Sequence, residues 1–487
     1  MAAALALTLA LAPSARSAEP GAVTDITWGT STAEVDRTVS LLRESGAKWI
    51  RANISWASLE PSAKGSYSSG YLSEIDYAIG KARAAGLQVI MPMADGVPYW
   101  ASADPGKRID SSGARRWNKY YRPSSFQDYA DAFRFVVDRY EAKGVHVFEV
   151  WNEPNLSYFW PSGVNAGEYT QLLKAAYPAA KQADPSATVL LGGLSQVDRD
   201  FLQGVYAAGG GSYFDAVSYH AYPTGDPDGC GKDSSGRRSA EALCGVEEVR
   251  STMAANGDSG KDVWLTELGW STCSNSYSGC FGKGVSESQQ ADYLTRGYRR
   301  LDGYPWIRTA LWYDFRNTYF RGESPGDWNA NLGLLRIDFS PKPAFEAFKA
   351  HATGAAPTSS PASAPPTGAA PKQRRTRTKL AVRRHPRASA ARRRAQAAAL
   401  ASWVVVGGRV SGADLGKVSL RIERSRGGRW SRARTRMLTL DRSGRFRSRL
   451  TLPRGRYRAQ AIYAGSARSA PSRSSFVRFR RIRGSAR

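Results

Sequence analysis

The sequence is poor in the residues that build most metal and nucleotide sites. It has 4 cysteines and 4 histidines among 487 residues, and no histidine stands at ligand spacing beside a cysteine, so a zinc site is the weaker alternative. No Gly-x-Gly-x-x-Gly follows the first apolar run, which argues against a doubly wound dinucleotide-binding fold. RNP, zinc-finger and helix-turn-helix patterns are missing too, so we expect no sequence-specific recognition of nucleic acid.

Long apolar runs are also scarce. The one near the start, residues 1–18, is rich in Ala and Leu and is too short to cross a membrane. It ends in Ser14-Ala15-Arg16-Ser17-Ala18, which resembles the small-residue cleavage site of a signal peptide, although a basic start is missing. We therefore expect a signal peptide over residues 1–18, no membrane span, and a secreted, extracellular mature chain.

The cysteines agree with export. Cys273 and Cys280 lie close together in sequence, and Cys230 and Cys244 form a second local pair. An even number in an exported chain suggests two disulfides. Of the three possible connectivities, the sequence favours the two local pairs.

Charge is distributed very unevenly along the chain. Residues 351–487 contain 34 Lys and Arg but 3 Asp and Glu, whereas the first 350 residues contain 35 basic and 39 acidic residues. The formal net charge of +27 therefore describes a mildly acidic body with a strongly basic tail. Such a tail predicts binding to an anionic polymer, namely a cell-surface phosphopolymer, an acidic polysaccharide or extracellular nucleic acid, and an inert arginine-rich spacer is the alternative.

Short apolar runs alternate with helix-period stretches over residues 24–352, which is typical of βα units and a parallel sheet. Eight such units predict an α/β protein with a (β/α)₈ barrel and enlarged loops. The predicted strands are 26–29, 49–54, 87–93, 148–153, 188–192, 214–219, 263–268 and 309–315.

The composition changes after His351. Residues 353–398 are rich first in Pro, Ala and Ser and then in Arg, which predicts a disordered linker. Residues 400–482 alternate apolar and polar side chains between regular turn signals, which predicts a small β-sandwich.

Two carboxylates stand where a barrel places its chemistry. In the stretch Phe148–Asn155, an apolar run stops at Asn152-Glu153-Pro154, and Pro154 marks the strand exit. Glu267 interrupts the apolar run Val263–Trp270 near its carboxyl end. The carboxyl ends of barrel strands carry catalytic residues, and a pair of carboxylates is what glycoside hydrolysis needs. We expect Glu153 to act as a proton donor in a glycosidase.

The two motifs together resemble a known clan. Trp-Asn-Glu-Pro-Asn at strand four with Thr-Glu-Leu-Gly-Trp at strand seven resembles the clan A retaining glycoside hydrolases, most of all family 39, with family 5 as a relative. The resemblance covers the whole predicted barrel. More weakly, the C-terminal segment resembles bacterial immunoglobulin-like accessory domains.

The resemblance implies roles for individual residues. Glu153 matches the acid/base, Glu267 the nucleophile, and Asn152 the residue that contacts the sugar 2-hydroxyl. Arg51, at the end of strand two, matches the arginine beneath the nucleophile, where a guanidinium would keep Glu267 ionised.

Four further residues follow from the same resemblance or from stacking chemistry. His220 and Tyr222 match the clan's His-x-Tyr, whose tyrosine is directed at the nucleophile. Trp312 matches the sugar platform, with barrel packing as the alternative. Trp100 is a candidate for stacking on a pyranose face, with packing under a loop as the alternative.

Two features leave the match incomplete. The end of strand three, Met91–Gly96, lacks the histidine usual in family 5, which favours family 39. Asp226, Asp228 and Asp233 follow strand six and offer a calcium site as a weaker alternative, so we expect no metal.

The sequence therefore predicts a secreted retaining β-glycosidase that hydrolyses O-glycosidic bonds of an oligo- or polysaccharide without a cofactor. Export and the basic module favour endo-action on a polymer. An exo-acting β-xylosidase or β-glucosidase and a non-catalytic carbohydrate-binding protein on the same barrel are the alternatives.

Overall fold

The computed structural model describes residues 17–27, 29–94, 96–103, 121–230, 238–239, 241–318, 326–355, 376–383, 403–411, 417–426, 429–441, 443–453, 455–463 and 472–481. The chain divides into two compact units, Met1–Thr358 and Ser359–Arg487.

The first unit is a closed barrel of eight parallel strands that are hydrogen-bonded in chain order, as the alternating pattern predicts. The strands are β1 (Glu19–Val23), β2 (Trp49–Arg51), β3 (Gln88–Met93), β4 (Val147–Asn152), β5 (Thr188–Ser195), β6 (Ala216–Ala221), β7 (Val263–Leu268) and β8 (Ile307–Trp312). β8 closes the barrel by pairing with β1.

Helices alternate with these strands and bury their apolar stripes against them. They are α1 (Thr32–Glu44), α2 (Trp56–Leu59), α3 (Ser69–Ala84), α4 (Phe126–Glu141), α5 (Ala166–Ala183), α6 (Arg199–Ala207), α7 (Val246–Ala255), α8 (Glu287–Asp302) and α9 (Pro343–Thr353). Several helices begin at a side-chain cap, and α8 has a full capping box between Ser286 and Gln289.

The first strand is not where the sequence predicts it. The prediction put it at residues 26–29, but β1 is Glu19–Val23, so the predicted start of the barrel at residue 24 is too late. Pro20 and Gly21 disfavour a strand by propensity. Tertiary packing overrides that preference. A Cβ atom at position 21 would lie 2.6 Å from the carbonyl oxygen of Trp49, so the close pairing of β1 with β2 requires glycine there. A bare backbone is what lets β1 and β2 pack this closely.

All eight strands run in one direction, so their carboxyl ends meet at one rim of the barrel. The register places Asn152 beside Gly193 and His220 beside Glu267 across neighbouring strands. Arg51 is the last residue of β2 on the same barrel. The ends of β2, β4, β6 and β7 therefore bring the predicted functional residues to one place.

The second unit is all-β. Its strands are β9 (Arg377–Arg383), β10 (Trp403–Ser411), β11 (Lys417–Arg426), β12 (Arg429–Thr439), β13 (Arg445–Thr451), β14 (Gly455–Tyr463), β15 (Ser472–Arg473) and β16 (Val477–Arg481). One antiparallel sheet has the order β13-β10-β9, and the other has the order β12-β11-β14-β15, with β16 also paired to β14. Side chains of both sheets share buried clusters, for example Val406 with Ile422 and Leu450, which makes a sandwich.

Strand β9 departs from the predicted organisation of the linker. The prediction has residues 353–398 disordered, yet Arg377–Arg383 pairs with β10 over its whole length. Its alternation of basic and apolar side chains, with Leu380 and Val382 packed on the sandwich core, is a strand pattern hidden in a basic run. Residues 356–375 and 384–398 of the predicted linker lie outside the described residues.

Most of the predicted signal peptide, residues 1–16, also lies outside the described residues. In the part of the chain that the structure does describe, no helix is long and apolar enough to cross a membrane.

Candidate active site

Arg51 ties three site residues together at the floor of the barrel mouth. Its Nε donates to Glu149 Oε2 at 2.7 Å, its Nη1 to Glu267 Oε1 at 2.7 Å, and its Nη2 to Asn152 Oδ1 at 2.9 Å. Arg51 and Glu149 are completely buried. A planar guanidinium fits two carboxylates and an amide at fixed angles, so this residue sets the rotamers of Glu267 and Asn152.

The backbone at the end of β4 is strained where Glu153 is presented. Trp151 has φ of 75° and Glu153 has φ of 44°, in the left-handed region that non-glycine residues rarely adopt. The Glu153 amide donates to the carbonyl oxygen of Gly193 at 3.0 Å, and Tyr129 donates its hydroxyl to the carbonyl oxygen of Met93 at 2.8 Å while accepting from the Trp151 amide at 3.2 Å. Such strain persists where the surroundings hold it, and it is concentrated at functional sites.

His220 and Tyr222, both from the end of β6, connect the two carboxylates. His220 Nδ1 lies 2.9 Å from Glu153 Oε1 and 3.4 Å from Glu267 Oε2. The Tyr222 hydroxyl donates to Glu267 Oε2. On the far side of the ring, a Cβ at Gly193 would lie 2.1 Å from His220 Nε2, so only glycine at 193 leaves room for the imidazole.

The surroundings shift the pKa values of His220 and Tyr222. Burial by itself lowers the pKa of His220, but the carboxylates of Glu267 and Glu153 outweigh it and the pKa is raised above its usual value. Burial and the neighbouring Glu267 raise the pKa of Tyr222 well above its usual value. Tyr222 therefore keeps its hydroxyl proton at neutral pH and donates it in the hydrogen bond to Glu267.

The two candidate catalytic carboxylates lie close together. One oxygen of Glu153, one oxygen of Glu267 and a ring nitrogen of His220 all lie within 4.8 Å of one another. A separation of about 5 Å is typical of glycosidases that act through a covalent intermediate, whereas inverting enzymes need about 6.5–9.5 Å to admit a water. Three such ligands are also a set that binds metal ions, so the expected absence of a metal stays a prediction.

A cavity of about 590 Å³ opens above these residues. The loops after β4, β6, β7 and β8 each contribute an aromatic side chain to its lining: Tyr158, Tyr222, Phe281 and Trp328. Trp328 packs edge-to-face on Tyr222 with ring centroids 5.0 Å apart, and Tyr313 does so from another side at 5.8 Å. Aromatic faces around a polar floor are what a pyranose ring needs for stacking.

A disulfide braces the loop after β7. Cys273 and Cys280 are bonded, with Cα atoms 5.7 Å apart, and Cys230 is bonded to Cys244. These are the two local pairs that the sequence predicts. Phe281 follows Cys280 directly with φ of 57° and is 73% exposed at the rim of the cavity. The cross-link therefore holds an apolar ring out over the site.

The barrel also matches a family model. The model described as cellulase (glycosyl hydrolase family 5) aligns with residues 14–311, which is more than half of the chain. The chain belongs to glycosyl hydrolase family 5. The predicted membership of the retaining clan is confirmed, and the matching model is that of the second of the two families named from the motifs.

Curated relatives of this family 5 chain are distant and match only in part. A probable glucan 1,3-beta-glucosidase A of Emericella nidulans is 27% identical over 168 residues, which are 34% of this chain and 38% of that protein. A beta-xylosidase of Geobacillus stearothermophilus is 35% identical over 115 residues, 22% of each chain. The chain thus spans less than two fifths of the length of these relatives.

A solved structure supports the fold. A family 39 glycoside hydrolase from Bacteroides cellulosilyticus WH2 superposes with a TM-score of 0.54 at 21% identity, over 90% of this chain and 80% of that one. At this identity the likeness concerns the fold alone.

Six of the eight predicted site residues come together at the rim of the family 5 barrel, and two do not. The six are Arg51, Asn152, Glu153, His220, Tyr222 and Glu267. Trp312 is fully buried, donates its Nε1 to the carbonyl oxygen of Leu332 and packs on Trp270, which is the arrangement that the alternative of barrel packing describes. Trp100 lies outside the cavity lining, donating to the carbonyl oxygen of Glu60 and packing edge-to-face on Trp56.

Sequence reasoning missed two contributors. Glu149 is the buried counter-charge of Arg51 and also accepts from Thr266 Oγ1 at 3.1 Å and from the Ser218 hydroxyl. Its signal was present, since an acidic residue in the middle of a buried strand needs partners. Trp328 sits on an irregular loop, where no periodic pattern indicates that its ring reaches the site.

Two of the three aspartates that offered a calcium site form ion pairs with an arginine. Arg296 donates to Asp226 Oδ1 and Asp228 Oδ2, both at 2.6 Å, so a guanidinium occupies the place between those carboxylates. Asp233 lies outside the described residues.

Lys342 anchors the loops that carry the aromatic wall. This buried ammonium lies 3.0 Å from Thr272 Oγ1, Asn317 Oδ1 and the carbonyl oxygen of Asn331. Thr272 belongs to the loop after β7, and the other two belong to the loop after β8, in which Asn331 caps the turn begun by Trp328. Lys342 thus fastens both loops to the start of α9.

The stability of this anchor should depend on pH with a definite sign. Burial lowers the pKa of Lys342 to about 7, whereas an unfolded lysine titrates near about 10.4. Between these values the unfolded chain binds the extra proton, so the free energy of unfolding should rise with pH, by up to about 1.4 kcal/mol per pH unit. Urea unfolding followed by tryptophan fluorescence from pH 7 to pH 10, with Lys342→Met as reference, measures this. Parallel curves for the two proteins would contradict it.

Proposed function

We propose that the chain is a retaining β-glycosidase in which Glu153 is the acid/base and Glu267 the nucleophile. The observation that carries the proposal is the approach of their carboxylates to within 4.8 Å, with His220 between them. Membership of a glycosyl hydrolase family supports the same reaction class. Arg51 Nη1 lies 2.7 Å from Glu267 Oε1 and so fixes the position of the nucleophile.

In the first step, Glu267 Oε attacks the anomeric carbon while the bond to the leaving oxygen breaks. Protonated Glu153 gives its proton to that oxygen, so the leaving sugar departs as a neutral alcohol. The product is a glycosyl ester on Glu267. Ester formation removes the negative charge of Glu267, and Glu153, having given up its proton, is left as a carboxylate that can act as a base.

In the second step, Glu153 acts as a base. It takes a proton from a water molecule whose oxygen attacks the anomeric carbon, and the ester bond to Glu267 breaks. The carboxylate of Glu267 leaves and returns to the hydrogen bonds of Arg51 and Tyr222. Both carboxyl groups end as they began.

Two neighbours orient these steps. Asn152 uses its Oδ1 to accept from Arg51, which leaves the amide NH₂ as the group available to a sugar hydroxyl in the cavity. His220 holds Glu153 Oε1 at 2.9 Å and so fixes the acid against the barrel wall. A fixed acid and nucleophile lower the entropic part of the barrier.

We further propose endo-action on a β-linked polysaccharide by an exported protein. Exposed rings extend the cavity beyond one sugar: Tyr158, 62% exposed, follows β4, and Phe281, 73% exposed, follows β7. Aromatic side chains left in solvent along a cleft suit a chain that continues past the cleavage point. Two disulfides are compatible with secretion.

An exo-acting β-xylosidase or β-glucosidase is the second candidate, because the relatives bear the names beta-xylosidase and glucan 1,3-beta-glucosidase. A non-catalytic carbohydrate-binding barrel would not require the buried ion pairs of Arg51 with Glu149 and Glu267.

Product sizing decides between endo- and exo-action. We expect wild-type protein, screened on β-glucans, xylans and β-mannans, to reduce viscosity early and to release oligosaccharides before monosaccharides. The Glu267→Gln variant, incubated in parallel, controls for contaminating hydrolases. Release of monosaccharide alone at constant viscosity would establish exo-action instead.

A further inference from the structure

One face of the C-terminal sandwich is basic across three strands. The register pairs Arg409 of β10 with Lys379 of β9 on one side and with Arg445 of β13 on the other. Since alternate residues of a strand share a face, Arg377 and Arg447 lie on this face as well. We call these five residues, on the outer side of the sheet β13-β10-β9, the basic face.

The basic face is open and unneutralised. All five side chains are exposed, and none of them forms an ion pair within the described residues. Arg409, one of the five residues of the basic face, donates its Nε to the carbonyl oxygen of Ser443 at 3.1 Å. Like charges directly opposite each other on neighbouring strands repel and destabilise a sheet. An anionic ligand would relieve that repulsion.

A groove of about 970 Å³ runs through the basic face. Its floor includes Gly407 and Ala381, which are paired across β10 and β9, while Lys379, Arg409 and Arg447 are among its walls. Asp441 lies at its edge, but Oδ1 of that carboxylate already accepts from the backbone amides of Ser443 and Arg445. A floor of small residues between long cationic side chains suits a thin, linear polyanion.

The other sheet contains two arginines that are paired with a buried carboxylate. Glu423 is buried at 2% exposure and accepts from Arg421 and Arg458 at 2.5 Å each. Arg458 also stacks over Trp430 and Phe476. Arg421 and Arg458 therefore have a carboxylate partner inside the domain, whereas within the described residues the five side chains of the basic face form no ion pair.

The chemistry of the basic face selects one class of polymer. The aromatic residue that lines the groove, Phe446, is buried at 4% exposure, so its ring offers a base little surface on which to stack. Guanidinium groups bind carboxylates and sulfates with paired hydrogen bonds. Strands about 4.8 Å apart, with same-face residues about 6.8 Å apart, present these groups as a regular array. We propose that the basic face binds an acidic polysaccharide carrying uronate or sulfate groups.

The test measures binding of the full-length chain, independently of catalysis. Fluorescent dextran sulfate and polygalacturonate are titrated with the Glu267→Gln chain, so that no hydrolysis interferes, with neutral dextran as the uncharged probe. Adding Arg409→Gln, Arg445→Gln and Arg447→Gln together should weaken binding of the acidic polymers about tenfold or more and flatten its dependence on salt. Neutral dextran should not bind measurably to either protein.

A matched triple variant removes the same charge from the other sheet. Arg456→Gln, Arg478→Gln and Arg480→Gln change three exposed arginines of β14 and β16, and this protein should bind within about twofold of its parent. Equal weakening by both triple variants would show attraction by net charge alone and overturn the proposal. Tighter binding to single-stranded oligo(dT) than to either polysaccharide at equal salt would also overturn it. The proposed reaction is tested separately by measuring aryl-glycoside hydrolysis with a protein that carries Arg409→Gln, Arg445→Gln and Arg447→Gln but keeps Glu267.

Discussion

Replacement of Glu267 by glutamine is expected to slow hydrolysis of an aryl β-glycoside by on the order of 10⁴-fold, because the amide cannot attack the anomeric carbon. Glu153→Gln is expected to behave differently. With a phenyl leaving group, which needs protonation, the loss should be roughly 10²–10⁴-fold. With a dinitrophenyl leaving group, which departs unaided, the first step should be nearly unaffected.

Steady-state kinetics on the two substrates separate these roles, and a burst of dinitrophenol from Glu153→Gln would report slow hydrolysis of the ester. Glu346→Gln, which changes an exposed glutamate of α9 in the same way, should leave both rates unchanged. Equal residual activity of wild type, Glu153→Gln and Glu267→Gln would refute the site assignment. Loss of activity in Glu267→Gln alone would leave Glu153 without its proposed role.

The second large effect concerns stability. Arg51→Met should lower the free energy of unfolding by about 3–5 kcal/mol, because it leaves Glu149 and Glu267 buried without their cation. The measurement is urea unfolding near pH 7. Adding Glu149→Gln should recover part of the loss, since it removes one of the two stranded charges.

Arg139→Met is the matched control for Arg51→Met. Arg139 also pairs with a carboxylate, that of Asp76, at 2.6 Å. The Arg139 side chain is 33% exposed and the Asp76 side chain is 26% exposed. Solvent screens such a pair, so the loss should be below about 1 kcal/mol. Equal losses for the two arginines would mean that the buried network of Arg51 contributes no more than a surface ion pair.

Some elements of this protein can be predicted from the sequence, because the local preference of their residues agrees with their tertiary packing. β7 has the predicted bounds, Val263–Leu268, since an apolar run of β-forming residues is buried on both faces there. Glu153 and Glu267 stand out for the same reason, as carboxylates at the ends of such runs. The motifs then bring in Arg51, Asn152, His220 and Tyr222, which the structure places around them.

The remaining features depend on packing that no local pattern encodes. β1 contains Pro20 and Gly21 and is fixed by its neighbours rather than by propensity. Trp312 matches a motif position, yet its ring points into the barrel wall with no exposed surface. The tryptophan that packs on Tyr222 is instead Trp328, from a loop whose path is set by distant contacts such as that of Lys342 with Asn331.

The bond between Cys273 and Cys280 also bears on how the protein should be produced. The loop it closes holds Phe281 over the cavity, and both sulfurs are in the folded barrel unit. In a reducing cytosol these thiols stay unpaired, so a bacterial host could yield soluble barrels whose loop after β7 lacks its brace. Such material would misrepresent substrate affinity even though the protein is soluble and of full length. An oxidising secretory host, with free thiols counted before any kinetics, avoids that error.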